Sequence, residues 1–336
     1  MKLLITGGAG FIGSNFIRYM LYHYPHYQIV NFDKLTYAGN LENLKGLEDS
    51  PNYEFVRGDI LNAELVEYVM RDCDIVVHFA AETHVDRSVL DPQSFIKTNV
   101  LGTGVLLEAA RKLNKRFHHI STDEVFGSLS LDEPENAFTE DTKYSPRSPY
   151  SASKASADHL VRSYIHTFGV QATISNCSNN YGPFMFPEKV IPLFITNLLE
   201  GKKVPLYGDG KNIRDWIHVE DHCAAIDAII HRGKIGETYV VGGMQEKSNL
   251  ELTKIILEIM GVGDEMIEYV KDRPGHDRRY AVKPHKIMAE LGWRPMINFE
   301  DGIRETVRWY EEHGDWWRSV KSGAYLEYYE KWYNQR

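Results

Sequence analysis

Lys2-Leu-Leu-Ile-Thr-Gly-Gly-Ala-Gly-Phe-Ile-Gly13 is an apolar run that breaks into glycines, after which Phe16, Ile17, Met20 and Leu21 recur at helical spacing. That order predicts strand, glycine turn and helix. A side chain at the turn would block a pyrophosphate, and the helix behind it offers amide hydrogens to an anion. The spacing is Gly-x-x-Gly-x-x-Gly instead of the commoner Gly-x-Gly-x-x-Gly, and flexible loops produce such matches too, so the glycines need support from the neighbouring segments. Gln28 to Phe32 reads as a second strand ending in Asp33, about twenty residues past the turn, where a carboxylate accepts the ribose hydroxyls of NAD and repels a 2'-phosphate. Lys34 is a neighbouring cation that could partly accommodate NADP; the position of the acid favours NAD.

Strand-like and helix-like runs then alternate: Tyr53 to Arg57, followed by Gly58-Asp59-Ile60; Ala63 to Met70; Ile75 to Phe79, followed by Ala80-Ala81. Next comes a helix that Asp91 caps with Pro92 at its first position, running to Leu113. The pattern predicts an α/β fold, a doubly wound parallel sheet of Rossmann type with a smaller C-terminal α/β substrate domain. The expected division is 1–180 for the NAD-binding domain, which carries the catalytic residues, and 181–336 for the substrate domain, with segments that can interleave. Gly58-Asp59-Ile60 and Phe79-Ala80-Ala81 fall at carboxyl ends of strands, where small residues let a dinucleotide lie against backbone. Ala80 and Ala81 fit ordinary packing equally.

A later apolar run, Phe117 to Ser121, stops at Thr122-Asp123-Glu124. Two adjacent carboxyls at the end of a buried strand can split their proton affinities into an acid and a base. The same residues also suit a helix N-cap with an acid in its first turn. Neighbouring strand residues point to opposite faces, so both acids reach one substrate only if the strand has become a loop or helix by Asp123. Downstream, Tyr150 and Lys154 stand four apart in a helical stretch opened by Ser148-Pro149, on one face. An ammonium beside the phenol is expected to favour phenolate, making Tyr150 a general base toward an alcohol. Alone, such a pair reads better as surface residues of an amphipathic helix; behind a dinucleotide fold it points to catalysis.

Composition narrows the classes. The 336 residues are 43% hydrophobic, enough for a sizeable core. A formal net charge of -9 argues against nonspecific nucleic-acid or anionic-membrane binding and leaves room for a local basic pocket that takes a phosphorylated small molecule. Cys73, Cys177 and Cys223 are dispersed and form no Cys-x-x-Cys, which fits a reducing compartment and implies neither disulfides nor a metal. No apolar run approaches a membrane span and no signal peptide is visible, so the cytoplasm is the expected compartment.

Gly7 to Gly13, Asp33-Lys-Leu-Thr-Tyr-Ala-Gly-Asn40, Ala80-Ala-Glu-Thr-His-Val-Asp-Arg-Ser88, Thr122-Asp-Glu124, Tyr150 to Lys154, Ser175-Asn-Cys-Ser-Asn-Asn-Tyr-Gly182 and Asp272-Arg-Pro-Gly-His-Asp-Arg-Arg-Tyr280 together resemble the extended short-chain dehydrogenase/reductase family. Within it the chain is similar to the nucleotide-sugar dehydratases, and by Asp33 to Asn40 and Arg273 to Tyr280 to the thymidine-linked ones. The resemblance implies NAD-dependent dehydration of dTDP-glucose to a 4-keto-6-deoxy sugar, with Glu124 as base and Asp123 as acid. It implies catalytic roles for Thr122, Asp123, Glu124, Tyr150 and Lys154. It implies cofactor contacts from Gly7, Gly10, Phe11, Ile12, Gly13, Asp33, Lys34, Thr36, Asp59, Ile60, Phe79, Ala80, Ala81, Thr83, Thr98, Tyr150, Lys154 and Asn180. Sugar-nucleotide contacts are implied for Thr83, Thr122, Asn179, Lys189, Pro205, Tyr207, Arg214, Asn249, Arg273 and His276. Phe126 departs from the family's usual tyrosine, and Phe184-Met185-Phe186 and Lys283 are atypical.

By charge, Lys189, Arg214, Arg273 and His276 suit a diphosphate, although a solvated surface is the plain reading of any one of them. Ser248-Asn-Leu-Glu251 reads as a capping box, which gives Asn249 a structural role of its own. An epimerase needs no acid pair, and a noncatalytic nucleotide sensor would usually lose the tyrosine, the lysine or the acids; neither alternative suits these residues. The aromatic tail from Trp309 to Trp332 is expected to pack on the second domain or on a neighbour. Asp91 to Leu113 and Ser151 to Phe168 carry Val100, Leu101, Val105, Leu106 and Leu107, and Leu160, Val161, Tyr164 and Ile165, over more than one narrow stripe. A second partner for each, and hence a homodimer, is expected, unless this surface lies under the rest of the chain.

Overall fold

The computed structural model describes residues 1–272 and 275–321. Its first half runs β1 (Lys2–Thr6), α1 (Phe11–His23), β2 (Gln28–Asp33), β3 (Tyr53–Arg57), α2 (Ala63–Met70) and β4 (Ile75–His78). Two short helices, α3 (Val85–Leu90) and α4 (Pro92–Phe95), precede α5 (Thr103–Leu113), β5 (Arg116–Thr122), α6 (Pro149–Phe168) and β6 (Ala172–Cys177). The second half holds β7 (Asn179–Tyr181), α7 (Val190–Leu199), β8 (Val204–Tyr207), β9 (Ile213–His218), α8 (Val219–Arg232) and β10 (Thr238–Val241). It ends with β11 (Glu246–Ser248), α9 (Asn249–Ile259), β12 (Ile267–Val270), α10 (His285–Leu291), α11 (Phe299–Glu312) and α12 (Gly314–Val320).

Seven strands form one parallel sheet in the order β10-β6-β5-β4-β1-β2-β3. The winding direction reverses between β1 and β4, which opens a crevice at the carboxyl ends of the strands. Both faces are covered, which explains why the strands read as apolar runs. Leu4, Val30, Val76 and Phe117 pack against Leu106, Leu107 and Val161 of α5 and α6. Their neighbours Leu3, Ile5, Ile29 and Val77 pack on the other face against Phe16 and Ile17 of α1 and Ile226 of α8. Two elements from beyond residue 180 thus return to the large sheet: α8 covers it and β10 extends its edge beside β6.

The rest of the second half forms a mixed sheet, β11-β9-β7, and a parallel pair, β12-β8. Trp216, Phe299, Tyr310 and Trp317 lie at the centre of its core, and Trp309 and Trp316 close on Phe184. The aromatic tail beyond Lys321 lies outside the described residues. No helix among the described residues is long and apolar enough to cross a membrane.

The structure departs from the expected helix over 91–113. Asp91 does cap a turn beginning at Pro92, but Ile96–Gly102 is a π-helical segment before α5 starts. There Asn99 turns inward, donating to the Glu82 carbonyl (3.0 Å) and to Ser153 Oγ (2.9 Å) and accepting from the Glu82 amide (2.8 Å). Those bonds give the wider turn its reason, since π segments bring side chains to functional surfaces.

Candidate active site

The glycine turn works by closeness. At Gly7, φ is +72°, and a Cβ there would stand 2.6 Å from the Ala80 amide nitrogen. At Gly13 it would stand 2.4 Å from the Gly7 carbonyl oxygen. The turn is thereby pressed against the end of β4, and Gly10, the N-cap of α1, makes no side-chain cap bond. The first amides of α1 therefore face the crevice as an anion site.

Asp33, at the end of β2, accepts the Ala9 amide on one carboxylate oxygen (2.9 Å) and the Leu35 amide on the other (2.8 Å). Burial raises its carboxyl and these two bonds lower it. Lys34 turns away to Asp59, with Nζ 2.7 Å from the carboxylate. Its charge is thus engaged by an acid, which removes the argument for a 2'-phosphate and leaves the NAD reading of Asp33 standing.

A cavity of about 310 Å³ runs from this turn to the end of β5. All the residues expected to contact cofactor line it, from Gly7 through Thr98 to Asn180, as do Thr122, Asp123, Glu124, Tyr150 and Lys154. Asp123 Oδ2, Asn179 Oδ1 and His222 Nε2 are buried without a hydrogen-bond partner, and all three residues line the same cavity. Such atoms are ones a polar ligand satisfies, so glycine cradle, ribose acid and orphaned donors and acceptors together fit a dinucleotide with a polar substrate beside it. Among the described residues, no His, Cys, Asp and Glu group could hold a metal ion.

At the acid pair both sequence readings hold at once. β5 ends at Thr122 and a 3-10 turn follows over Asp123–Phe126, with Thr122 Oγ1 accepting the Glu124 amide (3.2 Å). The cap is what bends the chain so that both acids border one cavity. Asp123 is 1% exposed, and burial holds its carboxyl well above the usual range; Glu124 and Asp215 raise it further, against Arg214. Phe126 packs below the turn against Phe138 and Tyr144, so its missing hydroxyl does not reach the cavity wall.

On the phenolate expected of Tyr150, the protein's own groups act in the opposite direction. Burial pushes the Tyr150 phenol well above its ordinary value, the Glu124 charge raises it further and the Thr122 hydroxyl opposes. Lys154 Nζ donates to the Ile120 carbonyl (2.7 Å), and burial pulls the ammonium down to about 8. The two share one face of α6, and burial, more than any neighbouring charge, keeps the phenol protonated.

The sugar-nucleotide candidates divide. Thr83, Thr122, Asn179 and Lys189 line the cavity. Pro205, Tyr207, Arg214, Asn249 and His276 do not; they sit on β8, β9, the start of α9 and the loop after β12. Tyr207 reaches Asp86 (3.4 Å) and lies edge-on to His276, while Arg214 lies 4.2 Å over Tyr280. Asn249 is the first residue of α9, inside the capping box that Ser248 and Glu251 form, as expected. Arg273 lies outside the described residues. Lys283 donates to the Glu135 carbonyl away from the cavity.

Sequence reasoning missed a clasp across the cavity. Arg87 Nε donates to Glu188 (2.8 Å), its guanidinium lies 3.9 Å over the Tyr37 ring, and Phe186 meets Tyr37 edge-on. Lys189 Nζ donates to the Thr83 carbonyl (3.0 Å) beside it. Tyr37 and Arg87 lie within two of the quoted motifs, so the motifs contained the signal without the pairing.

The GDP-mannose 4,6 dehydratase family model matches residues 4–306. A dTDP-glucose 4,6-dehydratase of Escherichia coli is 51% identical over 361 residues, covering 100% of both chains. The enzyme of that name from Mycobacterium tuberculosis (strain H37Rv) is 48% identical, covering 98% of this chain and 99% of its own. A solved dTDP-glucose 4,6-dehydratase from Streptomyces venezuelae, with NAD bound, superposes with a TM-score of 0.93 at 47% identity, covering 96% of this chain and 100% of that one.

Proposed function

The chain belongs to the dTDP-glucose 4,6-dehydratases, and from that premise we propose that it converts dTDP-glucose to dTDP-4-keto-6-deoxyglucose with NAD as cofactor, a step toward deoxysugars. The observation that carries the reading is the acid pair on one capped turn, in the wall of the same dinucleotide cavity as Tyr150 and Lys154.

When bound, NAD accepts two electrons from carbon 4 of the sugar and gives them back at carbon 6, with no net redox change. Tyr150 takes the proton of the carbon-4 hydroxyl, which requires cationic charge to offset burial and the Glu124 carboxylate; Lys154 is the chain's own contribution. The ketone at carbon 4 would acidify the carbon-5 hydrogen, which Glu124 removes, and carbon 5 would take a proton back from Glu124 once carbon 6 has received its hydride. Asp123, kept protonated by burial beside two other carboxylates, donates to the hydroxyl leaving carbon 6. Thr122 holds the sugar near carbon 4. Residues 1–180, with the return of α8 and β10, form the NAD-binding body in this reading, and the remainder of 181–336 holds the thymidine diphosphate. We also infer a cytoplasmic homodimer, supported by the three dispersed cysteines and by exposed Ile96 and Leu101 on the π segment before α5 and exposed Phe168 at the end of α6.

Incubation of the purified protein with dTDP-glucose, followed by mass spectrometry, is expected to show loss of water and a 4-keto product. Unchanged mass with a 4-epimer would replace dehydration by epimerisation.

A further inference from the structure

Asp158 stands one turn past Lys154 and two past Tyr150 on the same face of α6. Its side chain is fully buried, yet it is richly bonded: Oδ2 accepts from Ser121 Oγ (2.9 Å), Tyr144 OH (2.7 Å) and Asn176 Nδ2 (3.0 Å), and His119 Nε2 lies 3.2 Å from Oδ1. His119 and Ser121 belong to β5 just before Thr122, and Asn176 Nδ2 also donates to the Thr122 carbonyl (3.2 Å). Lys154 grips the same strand end at Ile120.

A carboxylate buried without a countercharge is strongly disfavoured. The titratable and charged groups facing it and Lys154 are His78 from β4, His119 from β5, Tyr144 from the loop before α6, and Tyr150 and Arg162 from α6 itself. Burial drives both imidazoles well below their ordinary value, His119 to about 4, so neither supplies the charge at neutral pH. Arg162 is occupied at the Tyr144 hydroxyl (2.8 Å). Lys154, one helical turn before Asp158 on the same face of α6, is the buried cation of that face, and the Asp158 charge supports its ammonium against the pull of burial.

We propose that Asp158 is a positioning residue for the dehydration: its buried carboxylate ties the helix bearing Tyr150 and Lys154 to the strand end bearing the acid pair, and supplies the charge opposite the Lys154 ammonium. The proposal rests on the dehydratase reading. Its test is Asp158→Asn in the full chain loaded with NAD, following kcat and KM for dTDP-glucose against pH, with nucleotide absorbance after denaturation as a check on cofactor content. The expected result is kcat lowered by roughly tenfold or more with KM little changed. The alkaline limb of the profile is expected to move to lower pH by about one unit or more, because the ammonium loses its proton more easily. Asp158→Glu is expected to return the limb toward its wild-type position. An even loss of kcat with the limb unmoved is what a merely structural role predicts, and it overturns the proposal. If Asp158→Asn does not fold, the double variant Ser121→Ala, Tyr144→Phe keeps the charge but cuts two of its ties; lowered kcat with KM and the urea unfolding midpoint unchanged supports the proposal, and wild-type kcat, or a kcat lost together with the unfolding midpoint, overturns it. Wild-type protein that forms no 4-keto product at any pH removes the dehydratase reading, and the proposal with it.

Discussion

Glu124 and Asp123 are neighbours with different tasks because the turn gives them different surroundings. Asp123 is sealed under the chain and Glu124 is half-buried at the cavity wall. Glu124→Gln keeps the shape and removes the base, so turnover of dTDP-glucose is expected to fall by roughly a hundredfold or more while NAD content stays at the wild-type level. Near wild-type turnover would move the base elsewhere. Gly7→Ala tests the turn: positive φ and a 2.6 Å approach to Ala80 together are expected to destabilise by roughly 2–5 kcal/mol, seen as a lowered unfolding midpoint in urea. At this scale the residue types were legible and their couplings were not. Spacing four apart selected Tyr150 and Lys154, and the same rule reaches Asp158, but a helical carboxylate reads as solvated until the face it occupies is known. Likewise Lys34 stood next to Asp33 in sequence and binds Asp59 in space.

β1 to β6 were legible because strands buried on both faces must be apolar along their length and must alternate with the helices that cover them. β10 was not, since four residues beside β6 acquire their place through contacts with a segment some sixty positions earlier, which no local pattern carries. The π segment escaped for a related reason: its cause is Asn99 bonding to Glu82 and Ser153. Among loops, the clasp of Arg87 with Glu188 and Tyr37 joins the segment after β2 to the segment before α7, and both border the cavity. Glu188 is buried, so removing the Arg87 guanidinium takes away one of the groups that hold its charge, beside Lys189 and Tyr37. A dinucleotide that is reduced and reoxidised within one turnover has no need to leave, and this clasp is suited to keeping it. Arg87→Ala is therefore expected to purify with markedly less bound NAD than wild type, measured by absorbance of the denatured supernatant, and to recover turnover when NAD is added. Equal NAD content in both proteins after exhaustive dialysis would show that retention lies elsewhere.

Among the described residues, one core lies on each face of the large sheet and another under the smaller sheets, with two smaller clusters beside β10 and under the Asp123 turn. The apolar width expected of the helix pair resolves into two parts. Leu106, Leu107 and Val161 belong to the core, and Val105, Leu160, Tyr164 and Ile165 are half-buried against it. Leu101 remains 56% exposed, with Ile96 exposed in the same π segment and Phe168 exposed at the end of α6, near Arg111. The surface does not lie under the smaller layer in one copy, which favours a second copy as its cover. Leu101→Glu tests this without touching the core. If the face is a twofold contact, each dimer would bury two unpaired carboxylates, and the dissociation constant is expected to rise by roughly tenfold or more. Sedimentation velocity at assay concentration would then show wild type as a dimer and the variant shifted toward monomer. Because α6 also carries Tyr150 and Lys154, turnover should fall with dimer content as the variant is diluted; a wild-type monomer with full turnover would rule the contact out.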